Sequence, residues 1–91
     1  MQPIKVGIGE TTNSGSLKIW PNPVEKILSV SSNESIENIT VYTILGSKKT
    51  IQSKFERGIY QLDFSMVESG AYLLEIRFTN QNSAIRKVIR N

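Results

Sequence analysis

Proton transfer, nucleophilic attack and metal binding all need particular side chains, and this chain of 91 residues has few of them. It contains no His and no Cys, and Asp63 is its sole Asp. The seven Glu are scattered singly, without the spacing of a calcium loop or of a glycosidase pair. Ser and Thr are common but have no base other than Lys to activate them. No Gly-rich loop opens a helix to cradle phosphate. Sites need convergent chemistry. The inventory therefore points away from an enzyme, and no metal or cofactor is expected.

The charges that do show a pattern lie at the end of the chain. Between Ile76 and Asn91 stand four bases, Arg77, Arg86, Lys87 and Arg90, and no acid. The other 75 residues carry seven bases and eight acids, so the whole excess behind the net charge of +3 lies in this stretch. Two uses fit such a strip. Charge can protect an edge strand from pairing with another sheet, or it can dock an acidic partner. Aromatic residues are not interleaved with these bases as a stacking array requires, so no nucleic-acid partner is expected.

The strip belongs to the most regular element in the sequence. Tyr72, Leu74, Ile76 and Phe78 recur at every second residue, the period of a strand with one face in a core. Gly70 precedes it, where a turn can use positive φ. The segment 80–83 reads as a turn and 84–90 as a returning strand. In the stretch from Glu68 to Leu74, Tyr72 stands as in the corner of immunoglobulin-like domains, whose Tyr hydroxyl bonds back to upstream backbone. A buried ring at Tyr72 with its hydroxyl on backbone is therefore expected.

The rest of the chain builds the partner strands. Residues 1–16 read as a linker or the end of a preceding segment. Ile4, Val6 and Ile8 alternate, but Glu10, Thr11, Thr12, Asn13, Ser14, Gly15 and Ser16 are small and polar and should be mobile. Residues 17–91 read as the folded domain. Leu17 to Trp20 forms a short strand, ended by Pro21, Asn22 and Pro23. On local grounds this triplet is a strand terminator at a sheet edge, with Asn22 bonding its own backbone. Further strands are expected over 26–31, 36–45 and 59–64. Gly46 closes a turn, 48–53 reads as a polar edge, and 54–58 as a loop. The total is about seven short strands with turns every 8–12 residues and no sustained helical period. That pattern predicts an all-β, immunoglobulin-like antiparallel β-sandwich. No run approaches the ~20 apolar residues of a membrane helix, and the first residues lack the apolar core of a signal peptide.

Four segments in one order carry a family resemblance. They are Leu17 to Pro23, Ile39 to Tyr42 with Leu45-Gly46, Glu68 to Ile76, and Arg86 to Asn91 at the end. The chain from Leu17 to Asn91 resembles the type A C-terminal sorting domain of the Bacteroidetes type IX secretion system. The resemblance implies a small immunoglobulin-like sandwich that directs an N-terminal cargo through the periplasm and across the outer membrane. The cargo then stays at the cell surface or is released. It implies three partners, the type IX translocon, an outer-membrane shuttle protein and a sortase that removes the domain. Pro21, Asn22, Pro23, Gly46, Gly70 and Tyr72 match the family's pattern and are expected mainly to maintain the fold, while Lys87, Val88, Ile89, Arg90 and Asn91, with Arg86 before them, lie in its terminal signal and are expected to carry most of the export signal. Cleavage ahead of the sandwich maps onto the segment from Glu10 to Ser16. Trp20 stands where the family more often has Tyr or Phe, Glu75 where Lys is common, and Arg86 and Arg90 where Lys is usual.

The last strand has the charge and backbone features of an open edge. A partner could read it by strand addition, or read its basic surface together with the terminal carboxylate. A second copy could pair along the same edge as a dimer. An alternative from another class is an adhesion or carbohydrate-binding module with Trp20, Tyr42 and Tyr60 as stacking platforms.

Overall fold

The computed structural model describes residues 16–91. The alternation at Ile4, Val6 and Ile8 and the polar linker up to Gly15 lie outside the described residues. Eight strands follow in chain order: β1 (Lys18–Trp20), β2 (Ile27–Ser31), β3 (Ile36–Thr43), β4 (Lys48–Lys49), β5 (Ser53–Glu56), β6 (Ile59–Asp63), β7 (Gly70–Phe78) and β8 (Ser83–Arg90). They form two four-stranded sheets, β1-β2-β6-β5 and β4-β3-β7-β8, with neighbouring strands antiparallel throughout. This is the expected β-sandwich. Among the described residues no helix is long and apolar enough to cross a membrane.

Period-two alternation fills the space between the sheets. Leu28 and Val30 of β2 and Leu62 of β6 point inward from one sheet. Val41 of β3, Tyr72, Leu74, Ile76 and Phe78 of β7, and Val88 of β8 point inward from the other. Val24, Phe64 and Val67 close the core from connecting segments, and no polar side chain is buried among the described residues. The Phe64 and Tyr72 rings meet edge to face, centroids 6.1 Å apart, and so join the two layers. Leu74 sits at the centre of this packing, and Leu74→Ala should cost about 2–5 kcal/mol.

The count of about seven strands becomes eight because 48–58 divides differently from the expectation. Lys48 and Lys49 form the edge beside β3, then the chain crosses to the other sheet. Ser53 to Glu56, expected mostly as a loop, pairs with β6 as that sheet's edge. All four of its side chains are exposed, so no buried face betrays it. The Phe55 ring lies against Tyr60, centroids 4.6 Å apart, at the exposed margin of the inner face. The two-residue turn Arg57-Gly58 joins the pair, Glu56 facing Ile59. The strand expected over 36–45 stops at Thr43. The Gly46 N–H bonds the Thr43 carbonyl at 2.9 Å and the Ser47 N–H bonds Thr43 Oγ1 at 3.0 Å, which throws Ile44 and Leu45 out into the turn.

Candidate functional site

Strand register defines two ends of the sandwich. Ile27 faces Asp63, Ser53 faces Leu62, Thr43 faces Tyr72, Tyr42 faces Lys48, and Gly70 faces Arg90. One pole therefore gathers the connections 21–26, 44–47 and 64–69 with the last residue, Asn91. The opposite pole holds Lys18, where the chain enters the sandwich, with the turns 32–35, 57–58 and 79–82. Pro21, Asn22, Pro23, Gly46, Gly70 and Tyr72, scattered along the sequence, all fall at the first pole beside the end of β8.

Each of these residues shapes that pole in a distinct way. Gly46 and Gly70 adopt φ of +96° and +148°, conformations that L side chains rarely take. Tyr72 is buried, and its hydroxyl donates to the Glu68 carbonyl at 2.7 Å, as the corner predicts. The Trp20–Pro21 and Asn22–Pro23 peptide bonds are cis.

Asn22 does not bond its own backbone, and the triplet does more than end a strand. The Asn22 side-chain amide donates to the Lys87 carbonyl at 3.2 Å, and its oxygen accepts the Ile89 N–H at 2.9 Å. Val24 continues the contact. Its N–H bonds the Ile89 carbonyl at 2.7 Å and its carbonyl accepts the Asn91 N–H at 3.0 Å, as a short parallel bridge. Local reasoning fails here because the partner backbone lies 65 and 67 residues away. It also follows that the end of β8 is not the open edge expected from the sequence.

The six terminal residues divide by strand parity. Val88 is in the core, and Arg86 and Arg90 share its side of the strand, half-buried. Arg90 donates from Nε to the Phe64 carbonyl at 2.9 Å, from Nη2 to the Ser65 carbonyl at 3.5 Å, and from Nη1 to the Asn91 carbonyl. Arg86 donates to the Ile85 carbonyl at 2.9 Å. Lys87, Ile89 and Asn91 are exposed. Arg77 lies 3.4 Å from Glu75, which also accepts from the Tyr42 hydroxyl at 3.3 Å. Among the described residues the Lys87 side chain has neither an acidic partner nor a hydrogen bond, so it is the cation of this hairpin left to solvent.

The pole is also apolar at its tips, a feature that sequence reasoning passed over. Leu45 is 95% exposed and Met66 is 92% exposed, with Ile44 beside Leu45. Their positions in turns, off any alternating run, are the signal that could have found them. The Met66 loop is held at its start by Asp63, whose carboxylate accepts the Ser65 N–H at 2.9 Å and hydroxyl at 2.6 Å. The Ser65 hydroxyl, then its N–H, hold the Asp63 carboxyl below its ordinary value of 3.8.

Other expected residues are not brought together. Trp20 faces Ser29 on the outer face of one sheet, and Tyr42 faces Leu73 on the outer face of the other. Tyr60 bonds the Ile36 carbonyl through its hydroxyl at 3.1 Å. The three rings thus share no surface. Ser16 is half-buried just ahead of β1, and Glu10 to Gly15 lie outside the described residues.

A family model described as a secretion system C-terminal sorting domain matches residues 18–91. No curated protein matches the chain.

Proposed function

The chain belongs to the family of secretion system C-terminal sorting domains, and on that premise we propose that its C-terminal pole is the surface the secretion machinery reads. The family role is a type IX sorting signal, carried behind an N-terminal cargo and leading to the cell surface or the medium. In the reading proposed here, a shuttle protein at the outer membrane engages the pole, and a sortase then cuts between Glu10 and Ser16.

The observation that carries this reading is the gathering of the pattern residues and the end of β8 at one pole, opposite the entry at Lys18. Cargo attached ahead of Lys18 joins the sandwich at the opposite end. Leu45 and Met66, almost wholly exposed, stand at this same pole.

A paired-pole comparison tests the proposal. Cargo is fused ahead of residue 9 and expressed in a bacterium with a working type IX system. Leu45→Ser with Met66→Ser should lower export about tenfold. Phe55→Ser, at the opposite pole, should leave it unchanged. Mass spectrometry of the released cargo should find its new end between Glu10 and Ser16. Equal export from all variants would remove the pole from the reading, and release of uncut fusion would remove the cleavage.

A further inference from the structure

Backbone direction alternates along β8. The backbone groups of Lys87, Ile89 and Asn91 bond outward to Asn22 and Val24, so the even residues between them turn their N–H and carbonyl groups toward β7. The odd residues turn theirs to the outer edge. From the Lys87 carbonyl to the Asn91 N–H that edge is closed. The Lys87 carbonyl, the Ile89 N–H and carbonyl, and the Asn91 N–H are all bonded by Asn22 or Val24.

Strand addition there would have to break these four bonds and lift out Val24, which is fully buried. What the closed edge leaves outward is side chains. Lys87 stands beside Leu73 on the outer face, unpaired among the described residues, and Ile89 stands beside Ala71 with its side chain partly exposed. The edge is open further back, at the Ile85 and Lys87 N–H groups, while the Ile85 carbonyl is occupied by Arg86.

We propose that Asn22 is the positioning residue of the sorting signal, closing the edge of β8 so that the partner reads the outward side chains of Lys87 and Ile89 and not the strand's backbone. The partner surface that fits is an apolar groove with an acidic group placed for Lys87. This rests on the sorting reading above. It gives Asn22 a role distinct from general fold maintenance, since among the described residues its two side-chain bonds both go to the signal strand.

Two arms test it on the full chain. In the first, amide hydrogen exchange is measured on the purified protein and on Asn22→Ala. The Ile89 and Asn91 amides should exchange at least about tenfold faster in the variant, while Leu74 and Ile76 stay slow. Unchanged exchange at Ile89 would overturn the closed edge. In the second, export of a fused fluorescent cargo is compared for Ile85→Pro, Lys87→Glu and Lys87→Arg. Ile85→Pro removes an outward N–H and no ladder bond, so export should persist. Lys87→Glu should lower it about tenfold and Lys87→Arg should restore it. Loss with Ile85→Pro and none with Lys87→Glu would overturn side-chain reading in favour of strand addition. A wild-type fusion that is not exported would overturn the sorting reading itself, a result separate from the exchange arm.

Discussion

Arg90 donates its Nε–H to the Phe64 carbonyl at 2.9 Å, tying the last residue of one sheet to the segment that leaves the other. A base that charge alone would assign to docking is thus a brace between layers. Arg90→Ala should lower stability by about 1.5–3 kcal/mol, the range for hydrogen bonds to charged groups. Arg90→Lys should recover little, because a single ammonium cannot reproduce the fork across Phe64 and Ser65. Urea melts of the three proteins check this, and any export defect in Arg90→Ala should track the lost stability.

Tyr72 offers a cleaner subtraction. Tyr72→Phe keeps the ring against Phe64 and removes only the bond to the Glu68 carbonyl. The expected loss is about 1 kcal/mol, or about 4–8 °C in thermal midpoint for a domain of this size. Tyr72→Ala should lose about 3–5 kcal/mol. A domain of this length has roughly 5–14 kcal/mol in all, so the Ala variant is a poor probe of export and the Phe variant a good one.

How far the sequence could be read depended on the kind of contact. The strand at 70–78 was legible because its four inner residues alternate without interruption, and the corner at Tyr72 because its acceptor lies only four residues upstream. β5 was not legible, since an edge strand with every side chain exposed has no buried face to mark it. The Asn22 contact left no local trace, because it joins one polar side chain to backbone at the far end of the chain. The bracing role of Arg90 left no trace either. Arg90 shares parity with the buried Val88, but the opposite side of the strand carries Ile85 and Ile89 and is the more apolar in sequence, so only the structure shows which face is inner.

Leu45 and Met66 should be nearly silent in folding. Both side chains are almost wholly exposed, and serine at either position should change stability by less than about 0.5 kcal/mol. Thermal melts matched to wild type, alongside reduced export, would separate recognition from folding at these tips.

The Asp63 turn makes a pH prediction. Its carboxyl is held below the ordinary 3.8 by the Ser65 hydroxyl and N–H, so the folded state favours the ionised form. The stabilisation is complete above the unfolded value and is lost as pH falls through the lower folded value. Stability should be flat in this respect near neutrality and should decline below about pH 4. Asp63→Asn should show a shallower acid limb in melts taken between pH 2 and 5.

The central claim is that this domain carries a sorting signal that can be transferred to another protein. The most direct measurement fuses residues 9–91 behind a periplasm-targeted fluorescent protein, in a bacterium with a working type IX system and in a mutant lacking it. Fluorescence at the surface or in the medium of the first strain only is the expected result. Folded, intact fusion held in the periplasm of both strains would contradict the claim.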